Sequence, residues 1–312
     1  MVVQLLITRQ SLVQYPITVD EITLTQYRRG APGKLAFSII KDDLLDVQEG
    51  DSVLLLVDST PVFYGFVFEK SRSGGNPKVD ITAYDQIRYL KNKDTFTYLA
   101  TVDELVRMIA SQYQLRVGTL EPTAYRLSRV EDNETLLDIV ETALDETVQH
   151  TGALYVLYDA CGSLMLKKAE NLRVPLLIDA SQAGAYTYKS SIDKQTYNTV
   201  KVVDGAGHTY VAKDTEKIRQ WGMLQLTESV QNTNGGNKAA ALLRLYGDKM
   251  RTLTLRSVIG DTRIRAGCSI IVQLHLGDVE LQNWMLVEQA THKFKGGMHL
   301  MDLKVRGGGF VV

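Results

Sequence analysis

Apolar and polar positions alternate over short stretches near the start of the chain: Ile17, Val19, Ile22 and Leu24, then Leu35 to Ile40, Val53 to Val57, Val62 to Phe68 and Val79 to Tyr84. Turn-forming residues separate them at Ala31-Pro32-Gly33, Glu49-Gly50-Asp51, Ser59-Thr60-Pro61 and Ser73-Gly74-Gly75-Asn76-Pro77. Period-two runs between Gly, Pro and Asp clusters read as strands, and five of them predict a small barrel or sandwich over residues 1–95. The runs 53–57 and 62–68 are apolar on both faces, whereas a wall facing water alternates. Their outer side is therefore expected to lie under a helix of this chain or under a neighbouring subunit.

The period changes after residue 95. Thr101-Val102-Asp103-Glu104 has the form of a capping box, and Leu105, Ile109 and Ala110 follow at helical spacing, predicting a helix over 102–113. A second helix is predicted over 134–150, with Leu136, Leu137, Val140, Ala143, Leu144 and Val148 on one face, Glu134, Asp138, Glu141 and Asp145 on the other, and Gly152 as its stop. A hairpin of Leu154 to Tyr158 and Leu164 to Lys168 completes a small α/β unit over 96–185. The β pattern then returns for 186–312. Thr199 to Val203 and His208 to Ala212 form a hairpin, Asp214 and Asn237 cap short helices within a helical insertion at about 214–249, and strands follow at 253–258, 268–273, 284–288 and 299–305.

The two β regions echo one another. Val47-Gln48-Glu49-Gly50-Asp51-Ser52-Val53 parallels Ile264-Arg265-Ala266-Gly267-Cys268-Ser269-Ile270, each a glycine turn entering an apolar strand. Downstream, strands containing Phe66-Val67 and Leu286-Val287 lead to the pairs Gly74-Gly75 and Gly296-Gly297 and to returning strands around Ile81 and Leu303. The predicted class is therefore α+β and β-rich, with two tube-like β-barrel domains and a small α/β domain between them. A subunit with two kindred barrels presents six units when three copies form a ring.

Composition narrows the chemistry. With 35 Lys+Arg against 36 Asp+Glu, the net charge of -1 offers no electrostatic footprint for nucleic acid or an anionic membrane. Cys161 and Cys268 form neither a disulfide framework nor a CxxC metal pair. The N-terminal stretch lacks a basic n-region and a long apolar core, and nowhere do 18 apolar residues run together, so neither a signal peptide nor a membrane span is expected.

Candidate catalytic groups have plainer explanations. The stripe Glu134, Asp138, Glu141, Asp145 could supply an acid and a base for glycoside hydrolysis, but its spacing of four, three and four describes the outer face of a helix. His292 and His299 sit across the Gly296-Gly297 turn, where they could meet as metal ligands, yet no third ligand is spaced beside them. Gly205-Ala206-Gly207 precedes a strand rather than a helix, and Gly235-Gly236-Asn237-Lys238 lacks the span of a phosphate loop. Tyr84, Arg88, Tyr89 and Lys91 could stack and neutralise a single-stranded nucleic acid, but a short amphipathic turn closing the first barrel accounts for them. No catalytic residue, cofactor or metal is expected.

Three passages together carry a resemblance: Gly50-Asp51-Ser52-Val53, Pro61-Val62-Phe63-Tyr64-Gly65-Phe66-Val67, and Thr82 through Tyr84-Asp85-Gln86-Ile87-Arg88-Tyr89 to Lys93. With Ser190-Ser191-Ile192, Tyr197-Asn198-Thr199-Val200, Trp221 to Gln225 and His292 to Met301, they make the chain resemble the XkdQ/YqbQ family of tail proteins from Gram-positive phages and phage-like bacteriocins. The resemblance implies a baseplate hub of a contractile tail, similar in role to the T4 hub protein and the Mu-type late control protein D. It implies a homotrimeric ring in a virion or tail-like particle, assembled in the host cytoplasm, that adapts a sixfold tail tube to a threefold spike. The implied partners are the tail tube, central spike, wedge and tape measure proteins. Phe63, Phe66 and Phe68 on the two-faced strand, and the acidic stripe, are the candidate contacts with subunits or partners. The alternatives are a tail-associated peptidoglycan hydrolase and a cell-wall-binding module.

Overall fold

The computed structural model describes residues 1–41, 45–75, 77–179, 183–230, 235–275 and 280–307. Asn76 of the expected turn and positions 308–312 lie outside the described residues. The first β region runs β1 (Val3–Arg9), β2 (Leu12–Gln14), β3 (Thr18–Tyr27), β4 (Lys34–Ile40), β5 (Ser52–Val57), β6 (Thr60–Arg72) and β7 (Lys78–Tyr84), then a 3-10 turn at Gln86–Lys91. The middle region holds β8 (Lys93–Ala100), α1 (Val102–Gln112), β9 (Val117–Leu120), β10 (Leu127–Thr135), α2 (Leu136–Thr151), β11 (Tyr155–Asp159) and β12 (Leu164–Lys168). The remainder comprises β13 (Arg173–Asp179), β14 (Ala185–Ser191), β15 (Thr199–Asp204), β16 (Thr209–Lys213), α3 (Thr215–Trp221), β17 (Gln225–Val230), α4 (Gly235–Tyr246), β18 (Met250–Ile259), β19 (Ser269–His275), β20 (Glu280–Lys295) and β21 (Met298–Gly307).

The chain is α+β and β-rich, as expected. The two tube-like barrels expected from sequence are not seen as closed barrels among the described residues: β1 to β7 join β13, β14 and β18 to β21 in one thirteen-stranded sheet. β20 is the reason. Its first half pairs with β19, its second half pairs with β3 on the same flank, and β21 lies along the other. Each module is thus merged with the other at its edge instead of curling onto its own first strand. Phe294 of β20 accordingly packs in the core of the first module, among Ile22, Leu24, Leu35 and Phe37. A second core, formed by Leu253, Ile270, Met285, Leu303 and neighbours, fills the other module.

The middle region owns a separate core. α1 and α2 bury Leu105, Ile109, Leu136 and Val140 against β8, β10 and β12. Local rules explain their ends: Glu104 returns to accept from the Thr101 amide at 3.0 Å, and Gly152 closes α2 at φ +72°, a conformation glycine adopts without strain. A further layer of β15, β16 and β17 packs on α4 through Val200, Val202, Ala239 and Leu242.

Candidate assembly interface

The sequence echo is a repeat of hydrogen bonds. Gly50 at φ +92° donates to the Val67 carbonyl (2.8 Å), the Asp51 amide donates to Gln48 (3.2 Å), and the Val67 amide donates to Asp51 (2.9 Å). In the second module Gly267 at φ +90° donates to Val287 (2.8 Å), Cys268 to Arg265 (3.3 Å) and Val287 to Cys268 (2.8 Å). Both are i to i+3 turns with a positive φ at the third residue, the geometry of a type II turn, which is why glycine stands there twice. The ladders that follow also coincide. Ser52 faces Phe66 as Ser269 faces Leu286, and Val67 faces Ala83 as Val287 faces Val305. Each module then has a one-residue bulge, at Phe68 and at Glu288. The modules are therefore equivalent through the glycine turn, the start of the β5–β6 and β19–β20 ladders and the bulge onto β7 and β21; beyond Leu55 the β5–β6 ladder shifts register where β19–β20 does not. β4 and β18, which flank β7 and β21, extend the match.

Where the modules meet, β3 runs antiparallel to β20, from Ile22 opposite Phe294 to Tyr27 opposite Gln289. Ile22 and Leu24 are buried there, and the Thr25 and Thr291 hydroxyls lie 3.3 Å apart. At the bulge, Arg28 donates its amide to the Glu288 carbonyl (3.0 Å) and its Nε to the Glu288 carboxylate (2.7 Å). Arg306 reaches the same carboxylate at 2.8 Å.

The candidate contact residues are divided by the fold. Phe63 is 4% exposed and belongs to the first core. Phe66 and Phe68 lie on the opposite side of β6, half-buried. Phe66 meets Tyr64 and Tyr89 edge-on at 5.6 and 5.9 Å. Phe68 meets Tyr84 at 5.6 Å, and the Arg88 guanidinium sits 5.1 Å from its ring centre. The cover expected outside this strand is thus partly the chain's own 3-10 turn, and this use of Tyr84, Arg88 and Tyr89 absorbs the aromatic and basic residues that suggested nucleic acid.

The acidic stripe is not one face of a helix. Glu134 lies in β10, opposite Asp94, because the strand continues to Thr135 after a bulge and α2 begins only at Leu136. Asp138 serves the helix start, its amide donating to the Thr135 hydroxyl at 3.1 Å. Glu141 and Asp145 face the chain's own β3–β4 loop: Arg29 donates two bonds of 2.9 Å to Asp145 and one of 3.3 Å to Glu141, and the Gly30 amide donates to Glu141 at 2.5 Å. These bonds, led by those to Asp145, raise the Arg29 pKa above its ordinary value. One guanidinium thus pairs with both groups.

The histidine pair does meet. The His292 Nε2–H donates to the Ile264 carbonyl at 3.0 Å, so its Nδ1 accepts from His299 at 2.9 Å. Burial pushes the His292 pKa down to about 4, helped by the neighbouring His299. Among the described residues no group of three His, Cys, Asp or Glu is placed to hold a metal ion. Gly205-Ala206-Gly207 is a hairpin turn held by Asp204, which accepts from the Ala206 and His208 amides. The reading from sequence missed a buried cluster where the three regions join. The Arg265 guanidinium stacks 3.4 Å from the Tyr158 ring centre, and burial raises the pKa of both Asp85 and Asp159 beside it. Only the tertiary arrangement brings these residues together.

Residues 22–306 match the pattern of the YQBQ-like family. The chain belongs to the YQBQ-like family. It is 27% identical over 306 residues to the phage-like element PBSX protein XkdQ of Bacillus subtilis, covering 93% of this chain and 92% of that one. Among solved structures, the 43 kDa tail protein of prophage MuSo2 from Shewanella oneidensis superposes with a TM-score of 0.69 at 14% identity, covering 97% of this chain and 98% of that one. The E. coli c3393 protein, described as a type VI secretion component structurally similar to the T4 tail proteins gp27 and gp5, gives a TM-score of 0.56 at 9% identity, covering 97% and 76%. Both structures share the fold with this chain.

Proposed function

We propose that this chain is a non-enzymatic structural hub of a contractile-tail baseplate, acting as a ring of three copies in which each contributes its two β modules as one third of a tube-like collar. The observation that carries this reading is the repeated turn and ladder, which gives one chain two equivalent modules and three chains six. The phage and tail identities of the relatives and structural neighbours support the setting. In that role the ring adapts a sixfold tail tube to a threefold spike and encloses the channel through which the tape measure protein and cargo pass. Wedge proteins dock around it, and the particle's baseplate is its location. The neutralisation of Glu141 and Asp145 by Arg29 argues against the hydrolase alternative.

Native mass measurement and negative-stain imaging of the purified chain test the proposal, alone and with tube or spike protein. Three-copy rings with six peripheral lobes are expected. A chain that stays monomeric in every mixture overturns it.

A further inference from the structure

Resting on the ring reading, we infer that neighbouring copies join by adding β14 of one copy to the second half of β6 of the next, in a register copied from the β3–β20 junction inside each chain. The internal repeat dictates the pairing. β3 flanks β4 as β14 flanks β18, with Leu24 opposite Leu35 and Tyr188 opposite Leu253. Leu35 and Leu253 in turn face the equivalent Ala83 and Val305. β14 is therefore the second module's counterpart of β3, and β6 is the first module's counterpart of β20. Within the chain, the β3 counterpart of the first module meets the β20 counterpart of the second. The two remaining counterparts end the pattern among the described residues: β14 has β18 on one flank and ends the sheet, while the turn and β5 accompany β6 only as far as Val67.

Transferring the register places Ser191 opposite Glu69, Ser190 opposite Lys70 and Lys189 opposite Ser71. Three features of these residues suit a second copy. None of the seven positions of β14 is fully buried by the chain itself: five are exposed and two, Tyr188 and Ser191, are half-buried, and Tyr186 is 43% exposed. Lys189 falls diagonally across from Glu69 on one face, an opposite-charge neighbour at cross-strand range. The bulge is the most informative position. Arg28, Glu288 and Arg306 correspond there to Ile192, Phe68 and Tyr84, so a charged triad inside the chain becomes an apolar triad between copies. Phe68 and Tyr84 are already in ring contact at 5.6 Å, and the half-buried Ile192 completes the set when its amide donates to the Phe68 carbonyl. Loss of charge at the centre and gain of apolar contact is what distinguishes a permanent interface from a solvated edge. Pairing also removes two strand edges that otherwise invite misassembly.

Cysteine cross-linking reads the register. In a Cys161→Ser background, Ser71→Cys and Lys189→Cys occupy the place of Thr25 and Thr291, whose side chains touch; residues directly opposite in an antiparallel pair lie within disulfide reach. The chain carrying both substitutions is expected to give covalent trimers under mild oxidation, and a mixture of the two single variants covalent dimers. Each single variant alone is expected to give none. Rings that form by mass but cross-link elsewhere, or not at this pair, overturn the inference and leave the ring reading standing. A chain that never assembles overturns both. As a second readout, Ile192→Asp is expected to shift the assembly midpoint at least tenfold in concentration while leaving the monomer's circular dichroism unchanged; an unaltered midpoint counts against the apolar triad.

Discussion

Replacing Gly267 and Gly50 by alanine, one at a time, separates what the repeat shares from what it does not. The two glycines have φ of +90° and +92° in equivalent turns, so the backbone strain of a side chain is the same in both, about 1–2 kcal/mol. Their surroundings differ. A Cβ on Gly50 meets nothing within 4 Å, whereas a Cβ on Gly267 falls 2.5 Å from Val156 Cγ1 on β11. Overpacking of this kind adds about 1–3 kcal/mol. Gly267→Ala is therefore expected to cost about twice as much as Gly50→Ala, and Val156→Ala to recover most of the excess, since it leaves only the Val156 Cβ at 3.3 Å. Urea unfolding followed by the fluorescence of Trp221 and Trp284 and by far-ultraviolet circular dichroism supplies the midpoints, and the double-mutant cycle of Gly267 and Val156 supplies the coupling. Equal costs at the two glycines, or a cycle that is additive, would refute the argument that the second turn alone is wedged against the middle region.

Four further outcomes are expected. Arg29→Ala, which frees α2 from the β3–β4 loop, should cost only about 0.5–1 kcal/mol because Arg29 and Asp145 are both partly solvated, and the loss should shrink in high salt; a salt-independent loss contradicts the ion-pair account. Arg265→Ala removes the guanidinium stacked on Tyr158 and the positive charge that favours ionisation of Asp85 and Asp159, and should lower stability by about 1–3 kcal/mol, measured as the urea midpoint. His292 is neutral in the fold, with a pKa near 4 against an ordinary 6.5, so between those pH values the unfolded chain binds more protons and stability is lost as pH falls, by on the order of 3 kcal/mol over the full window. His299, also lowered by burial, acts in the same direction; His292→Gln should flatten the slope of unfolding midpoint against pH from 7 to 5, and an unchanged slope excludes the mechanism. Thr135→Ala removes the acceptor of the Asp138 amide at the start of α2 and should cost about 1 kcal/mol by thermal unfolding.

Short-range chemistry was legible in the sequence. The capping box at Thr101, the stop at Gly152, the hairpin of β11 and β12 and the glycine turns at Gly50 and Gly267 all obey rules that act over a few residues, and each appears in the fold. Failures came where a pattern fits two periods or depends on distant partners. Glu134 fitted a helical stripe, but its backbone pairs with Asp94 far upstream. The stretch 93–100, now β8, gave too mixed an alternation to stand out. The contacts of Arg29 with Glu141 and Asp145 and of Arg265 with Tyr158 join positions more than a hundred residues apart, which no periodicity encodes. The echo between modules was visible only as spacing; the matching hydrogen bonds and bulges give it physical content.

The sixteen-residue span of β20 makes the molecule indivisible in a practical sense. A fragment ending before it would leave one flank of β3 at Ile22 to Tyr27 unpaired and lack the Phe294 ring, while one beginning after β7 would keep β20 paired with β21 but with the β3 flank of its latter half open. Neither piece is a finished object. Each of the two similar halves supplies the strand that the other lacks.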